Sequence, residues 1–326
     1  MPGYEELESK IIQTNMCTVC GTCISACPLY YIQMVEGKPK RPKKKAACKN
    51  CSVCFDSCYR TSGEIISDGS IGQYLRVVSA KYNGSGTYQD GGIVTAVLRY
   101  AHDMQLIDGA VLTRGSRMPM PFVATCAEDF NACAMTRYGV SPVLMNIRTA
   151  IVEHELDKLA VVGTPCHIQS VSHLQLANPE LSSAMVLSIG LFCSENFAHS
   201  HIAELMDFIG LEEEDVEKVT VLNGRLVIQA RDRNTSIPVS DLKTWVPNHC
   251  LFCKDYTSEL ADISVGSEGS PEGWSTVVIR TKKGDEIFSE LERTGQVSTS
   301  GIPVNELERL MEASERKRKR ATIESA

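Results

Sequence analysis

The sequence predicts a mixed α/β fold, α+β in part, with a small cysteine-rich domain ahead of a larger α/β domain. Three observations predict it. Eight cysteines crowd into two quartets between Cys17 and Cys58. From residue 75 onward, helical and strand-like hydrophobic patterns alternate. An Asn-Gly pair then separates two apolar runs in "VTVLNGRLVIQAR", which reads as a β-hairpin and brings antiparallel strands into the body. The 326 residues suffice for one large domain or two ordinary ones, and 43% hydrophobic with 22% charged residues describe a globular chain.

The first quartet is Cys17, Cys20, Cys23 and Cys27, followed by Pro28. The second is Cys48, Cys51, Cys54 and Cys58, with Tyr59 in the place of the proline. Both follow C-x2-C-x2-C-x3-C, the spacing of two-cluster bacterial ferredoxins. In that arrangement the short gaps wrap the backbone around a cluster so that three thiolates reach three irons, and the fourth comes from the other quartet. Cys17, Cys20, Cys23 and Cys58 are therefore assigned to one 4Fe–4S cluster, and Cys48, Cys51, Cys54 and Cys27 to a second. Structural zinc fits poorly, because it favours separated cysteine pairs with four ligands in all. Residues 1–62 form this ferredoxin-like domain. Its linker "GKPKRPKKKAA" reads as a basic surface loop, with docking of an acidic partner as the functional alternative.

The body follows in order. "GGIVTAVLRYAHDMQLIDGAVL" reads as a glycine turn, an amphipathic helix and a strand, and "TAIVEHELDKLAVVGTPC" as helix, strand and turn. "AMVLSIGLFC" is a buried strand, and "HIAELMDFIGL" is a helix closed by Gly210. "STVVIRTKKGDEIF" reads as a strand and a turn. The segment 301–326 holds a charged amphipathic helix, whose basic run at 315–320 could dock a partner. Glycines cluster in "QDGG" before a helix, where amides can bind an anion, and in "GSEGSPEGWST", where Gly266, Gly269 and Gly273 would let backbone approach a bulky ligand. Neither is a G-x-G-x-x-G dinucleotide fingerprint.

Six cysteines remain. Cys250 and Cys253 form another C-x2-C pair, and Cys166 and Cys193 each follow a strand, so a third metal site is plausible. Cys126 and Cys133 flank a helical stretch and read as packing residues. A formal net charge of −7 argues against a general nucleic-acid binder. No run approaches the roughly 20 apolar residues that span a bilayer, and the acidic start "MPGYEELESK" is unlike an export signal. The expectation is a cytoplasmic chain that meets a membrane only peripherally, on its inner face, through a partner complex. The seven histidines form no H-E-x-x-H, and no hydrolase arrangement or catalytic acid or base stands out.

The motifs "QDGGIVTAVLRYA", "VVGTPCHIQSV", "LFCSENF" and "CLFCKDYTSELADISVGSEGSPEGWSTVVIRT" resemble the family of coenzyme F420 hydrogenase/dehydrogenase beta subunits over about residues 75–300. With its ferredoxin-like extension the chain looks most like the F420H2 dehydrogenase input subunit of archaea. The resemblance implies that residues 75–300 bind FAD and coenzyme F420 as substrate. It also implies that Cys166, Cys193, Cys250 and Cys253 hold a third 4Fe–4S cluster. Contacts to FAD and F420 are expected among Gln89, Asp90, Gly91, Gly92, Thr95, Arg137, Tyr138, Lys254, Asp255 and Tyr256, and along Gly266, Ser267, Gly269, Ser270, Gly273, Trp274 and Ser275. Lys254, Arg137 and the amides near Gly91 and Gly269 are candidates for phosphates or the acidic tail of F420. His167 stands where relatives carry glutamine, and Arg137 where some carry lysine, which keeps the charge but changes the geometry.

A hydride delivers two electrons together, whereas iron–sulfur clusters take one at a time, so the resemblance implies a flavin between them. The implied route runs from F420H2 through FAD and the Cys166 cluster to the ferredoxin-like clusters and a partner. That partner would be ferredoxin or another subunit of a membrane dehydrogenase, hydrogenase, formate dehydrogenase or heterodisulfide reductase. The alternatives are a non-catalytic iron–sulfur relay, or the same fold with a different hydride donor.

Overall fold

A computed structural model describes residues 3–41, 48, 50–67, 69–222 and 224–324. The N-terminal module consists of α1 (Tyr4–Leu7), running on into a π-turn at Glu8–Ile12, then α2 (Thr22–Ala26), the hairpin β1 (Gln33–Val35) and β2 (Lys38–Lys40), and α3 (Val53–Asp56) and α4 (Tyr59–Ser62). Its small core joins Tyr4, Leu7, Ile11, Ile12 and Ile32 to Cys23, Cys27 and Cys54.

The body begins with β3 (Arg76–Tyr82), α5 (Ile93–Asp103), β4 (Gly109–Arg114), β5 (Met120–Ala124) and α6 (Ala127–Ala132). It continues with α7 (Ile147–Val152), β6 (Leu159–Gly163), α8 (Pro165–Ala177), α9 (Pro179–Ala184), β7 (Met185–Leu191) and α10 (His201–Ile209). An antiparallel sheet of β8 (Val216–Leu222), β9 (Arg225–Ala230) and β10 (Asn234–Pro238) follows, then α11 (Asn248–Leu251). The chain returns through β11 (Ile263–Gly266), β12 (Ser275–Ile279), α12 (Lys282–Arg293), β13 (Val297–Ser300) and α13 (Val304–Glu324). The principal sheet has the order β13-β3-β12-β11-β7-β6-β4-β5. Its centre, β11-β7-β6-β4, is parallel, and antiparallel pairs complete both sides.

Side chains that alternate along a strand divide between two layers. In β4 and β6, Ala110, Leu112, Ala160 and Val162 join the core under α5 and α12, while Val111, Leu159 and Val161 join the one under α7 and α8. That second core also contains Ala26 of the N-terminal module, which is thereby packed onto the body. Leu144 N–H donates to Cys20 O at 2.9 Å, and Arg148 Nε to Ser25 O at 2.7 Å. Gly21 is required at this seam. A Cβ there would lie 2.5 Å from Met145 N, and its φ is +92°.

The hairpin expected at "VTVLNGRLVIQAR" is β8–β9, paired at Leu222 and Arg225 with Gly224 at φ +71°. Asn223 lies outside the described residues. Gly210, at φ +64°, ends α10. The segment after "STVVIRT" is a helix rather than a turn. Thr281 accepts the Gly284 N–H as an N-cap, and Ile287, Phe288 and Leu291 form the buried stripe of α12. Lys38–Lys40 pairs as a strand inside the expected basic loop, and residues 42–47 of that loop lie outside the described residues. Cys133 packs against the core, but Cys126 only half-buries at the start of α6, so it is not the core residue expected.

Candidate functional site

β3, β11, β7, β6 and β4 run the same way, so the loops that follow them gather at one edge of the sheet. Open α/β sheets bind ligands at that carboxyl edge. The loop after β3 carries Gln89–Gly92, that after β6 carries Cys166, that after β7 carries Cys193, and that after β11 carries Ser267–Trp274.

Cys166, Cys193, Cys250 and Cys253 line one cavity, with Tyr59, Arg60, His167, His249 and Lys317 among its other walls. Cys166 sits in the first turn of α8, where Pro165 starts the helix and the Thr164 hydroxyl lies 3.2 Å from Cys166 Sγ. Cys193 is fixed by its N–H, which donates to Tyr256 O at 2.9 Å. Burial raises all four thiol pKa values, Cys166 and Cys253 to about 12. A metal bound here must displace those protons.

Cys27, Cys48, Cys51 and Cys54 line a second cavity with Tyr4, Leu29, Tyr31 and Arg41. Burial raises the pKa of Cys23, on which Cys17, Cys20, Cys58 and Cys54 also act, and burial raises Cys58 to about 12, with Cys20 and Cys17 acting on it. Among the described residues no three His, Cys, Asp or Glu side chains converge on a single-ion site.

The two cysteine regions touch. Ser170 Oγ on α8 lies 3.3 Å from Cys20 Sγ and 2.8 Å from Cys166 O. Arg60 donates to His249 O at 2.7 Å. His167 caps α8 through Thr164 and lies 2.9 Å from Ser141 O, and burial depresses its pKa to about 4.

Beside the cysteine cavity the expected flavin and F420 residues divide. Gln89 Oε1 accepts from Thr136 N at 3.2 Å, and its carbonyl accepts from Lys218 Nζ at 2.6 Å. Asp90 accepts from Ser267 Oγ at 2.7 Å, and Gly91 N donates to Ser275 Oγ at 3.0 Å. Tyr138 accepts from Val221 N at 3.1 Å; burial raises its pKa, and Asp90 and Cys193 both act on it. Tyr256 packs 5.7 Å from Phe192 between the glycine loop and the cysteines. Arg137 Nε is buried with no partner, and desolvation lowers its pKa. Ser270 pairs with Thr276 at 2.7 Å, Gly269 and Gly273 adopt positive φ, and Trp274 N donates to Pro271 O.

Other expected positions serve the fold. Thr95 is buried in α5. Lys254 N bonds Glu64 at 2.9 Å. Asp255 accepts from Glu259 N at 3.1 Å below the cysteine cavity, and burial raises its pKa to about 6. A Cβ on Gly91 would meet Ala80 O at 2.3 Å, and one on Gly266 would meet the Phe192 ring at 2.0 Å. The close neighbours at these two glycines are the protein's own.

The basic run at 315–320 turns largely inward, contrary to a purely docking role. Lys317 donates to Cys193 O at 2.6 Å and to Asp255 O at 2.7 Å. Burial works against its charge, but the neighbouring Cys253 and Cys193 hold its pKa above the ordinary value. Arg318 pairs with Glu259, and Arg320 with Glu195 at 2.7 Å, while Arg316 and Lys319 stay on the surface beside Glu312 and Glu315. Sequence reasoning missed Lys317, Ser170, Arg60 and Lys218. Only Lys317 carried a signal, since it falls in register with Leu310, Ser314 and Ala321.

Four cysteines around one cavity, two of them just past the carboxyl ends of parallel strands, fit the class of thiol- or metal-dependent proteins. Two family profiles match it, both of the coenzyme F420 hydrogenase/dehydrogenase beta subunit: its N-terminal part over residues 77–148, and its C-terminal part over residues 156–304. The chain belongs to this family of coenzyme F420 hydrogenase/dehydrogenase beta subunits. It is 30% identical to one of the F420H2 dehydrogenase subunits of Methanosarcina mazei, covering 86% of this chain and 83% of the relative. It is 32% identical to the coenzyme F420-dependent sulfite reductase of Methanocaldococcus jannaschii over 94% of this chain, and spans 50% of that longer protein. A solved chain of the F420-reducing NiFe hydrogenase complex from Methanosarcina barkeri matches with TM-score 0.74 and 32% identity, over 79% of this chain and 94% of that one.

Proposed function

We propose that the chain is an iron–sulfur flavoprotein of the F420H2 dehydrogenase type, the subunit through which electrons pass between coenzyme F420 and the rest of a redox complex. The observation that carries this reading is the shared edge. The loops of Gln89 and Ser267 follow strands at the same edge of the sheet as Cys166 and Cys193, which line a cavity with Cys250 and Cys253, and Ser170 joins Cys166 to Cys20 of the N-terminal module. Three 4Fe–4S clusters would be held by Cys17, Cys20, Cys23 and Cys58, by Cys27, Cys48, Cys51 and Cys54, and by the body's four cysteines. FAD would exchange a hydride with F420 and hand electrons singly to the clusters.

The chain's own residues supply position and electrostatics. The unpaired Arg137 Nε suits an anionic group such as a phosphate. Tyr138 feels the charges of Asp90 and Cys193, and Tyr256 those of Glu268 and Cys193, so both tyrosines stand within electrostatic reach of a loop carboxylate and of Cys193. Partners are other subunits of a membrane dehydrogenase, hydrogenase, formate dehydrogenase or heterodisulfide reductase, or ferredoxin. No helix among the described residues is long and apolar enough to cross a membrane. A membrane complex would therefore be met peripherally, on the cytoplasmic side. Gly91 and Gly266, explained by their own neighbours, favour the second reading of a relay without flavin.

The test is anaerobic reconstitution with iron, sulfide and FAD, followed by F420H2 and a viologen acceptor. Oxidation of F420H2 is expected. Clusters and flavin without oxidation would point to another hydride donor, and clusters without flavin to the relay.

A further inference from the structure

The buried face of α13 is formed by Leu310, Ser314, Lys317 and Ala321, spaced four, three and four residues apart as one helical stripe. A lysine in such a stripe is costly, since its ammonium leaves water. A methionine would pack there without that cost. Lys317 is 4% exposed, and its ammonium is anchored by the carbonyls of Cys193 and Asp255.

Of the nearby carboxylates, Glu259 pairs with Arg318 and Glu195 with Arg320 and Lys243, while the Asp255 carboxylate accepts from Glu259 N and also acts on Lys317. The Lys317 ammonium is itself hydrogen-bonded to two backbone carbonyls and lines the cavity. Arg60, the other buried cation there, acts also on Cys17 and Cys58 of the neighbouring group. Lys317 acts on Cys166, Cys193, Cys250 and Cys253, in each case against burial.

We propose that Lys317 is a positioning residue that raises the reduction potential of the cluster held by Cys166, Cys193, Cys250 and Cys253. The inference rests on the cluster assignment of the proposed function. A cluster with four thiolates gains negative charge when one electron enters it. A fixed cation in a buried, weakly screened place therefore favours the reduced form. The lysine keeps its proton throughout, so the electron is the only charge that moves. The C-terminal helix thereby makes the body's cluster a better acceptor than its cysteines alone would.

The test is a redox titration of the reconstituted full chain, followed by electron paramagnetic resonance, with the body cluster identified by its loss in Cys193→Ser. Lys317→Gln is expected to make reduction of that cluster at least tenfold less favourable, a downward shift of about 59 mV. Lys317→Arg should stay within about threefold, the control Lys319→Gln at the surface should not move it, and both N-terminal clusters should hold their potentials. Loss of the cluster in Lys317→Gln but not in Lys317→Arg would also support the inference, since charge separates the two. An unchanged potential in Lys317→Gln, an equal fall or loss in Lys317→Arg, or an equal fall in Lys319→Gln would overturn it. Iron analysis separates these from failure of the assignment itself: a wild-type chain with no body cluster overturns both.

Discussion

Cys193 shows how much a single side chain carries here. It follows β7, is pinned through its amide to Tyr256 O, and shares a cavity with three other cysteines. Cys193→Ser is expected to lose about four irons per chain while sparing the N-terminal pair. Iron and sulfide quantitation after reconstitution checks this, and a full complement in the variant would remove Cys193 from the ligand set. His173 has a different consequence. It is 7% exposed, Nε2 has no partner, and burial lowers its pKa below 6.5. The folded chain keeps it neutral while the unfolded chain takes up a proton. Its contribution is therefore present above pH 6.5 and lost as pH falls below that value. Urea unfolding at a series of pH values should show this acid-side loss in wild type and a smaller one in His173→Gln.

At the scale of elements, α13 works as a strap. Glu259, buried behind it, binds Arg318 and also Ser67 Oγ at 2.6 Å, so one carboxylate ties the helix to the segment before β3. Glu259→Gln should destabilise the chain by about 3 kcal/mol, because it leaves a guanidinium without its counter-charge. Denaturant unfolding measures this; a change below about 0.5 kcal/mol would class the pair with ordinary surface bridges. The loop before α5 is equally constrained. Gly91→Ala should cost about 1–3 kcal/mol even without any cofactor, because the methyl group meets Ala80 O and the Ser275 amide. A variant as stable as wild type, but impaired in flavin binding, would instead give the glycine to the ligand.

For the whole molecule, the sequence was informative where structure is set locally. The β8–β9 hairpin and the helix ended by Gly210 follow from local rules that tertiary packing did not override. Less was legible where function depends on distant approach. Nothing local to Ser170 announces Cys20, and a run of lysines and arginines reads as surface charge until three of its members turn inward. α12 was hidden by the glycine in its first turn, whose amide in fact meets the cap. The crossing of the quartets gives a test at this scale. Cys27→Ser should remove the cluster beside Leu29 and Tyr31 and leave that of Cys17, Cys20 and Cys23, whereas Cys58→Ser should do the reverse. Mössbauer spectra of the two variants would tell, and loss of the same cluster in both would refute the crossing.

The walls of the body's cavity run from Thr18 to Lys317. A ribosome makes those ends at opposite times. The eight N-terminal cysteines are complete once Cys58 has emerged, long before α13 is made. The cavity in the body stays open on one side until α13 is released. Any group held there can be enclosed only after α13 has been made.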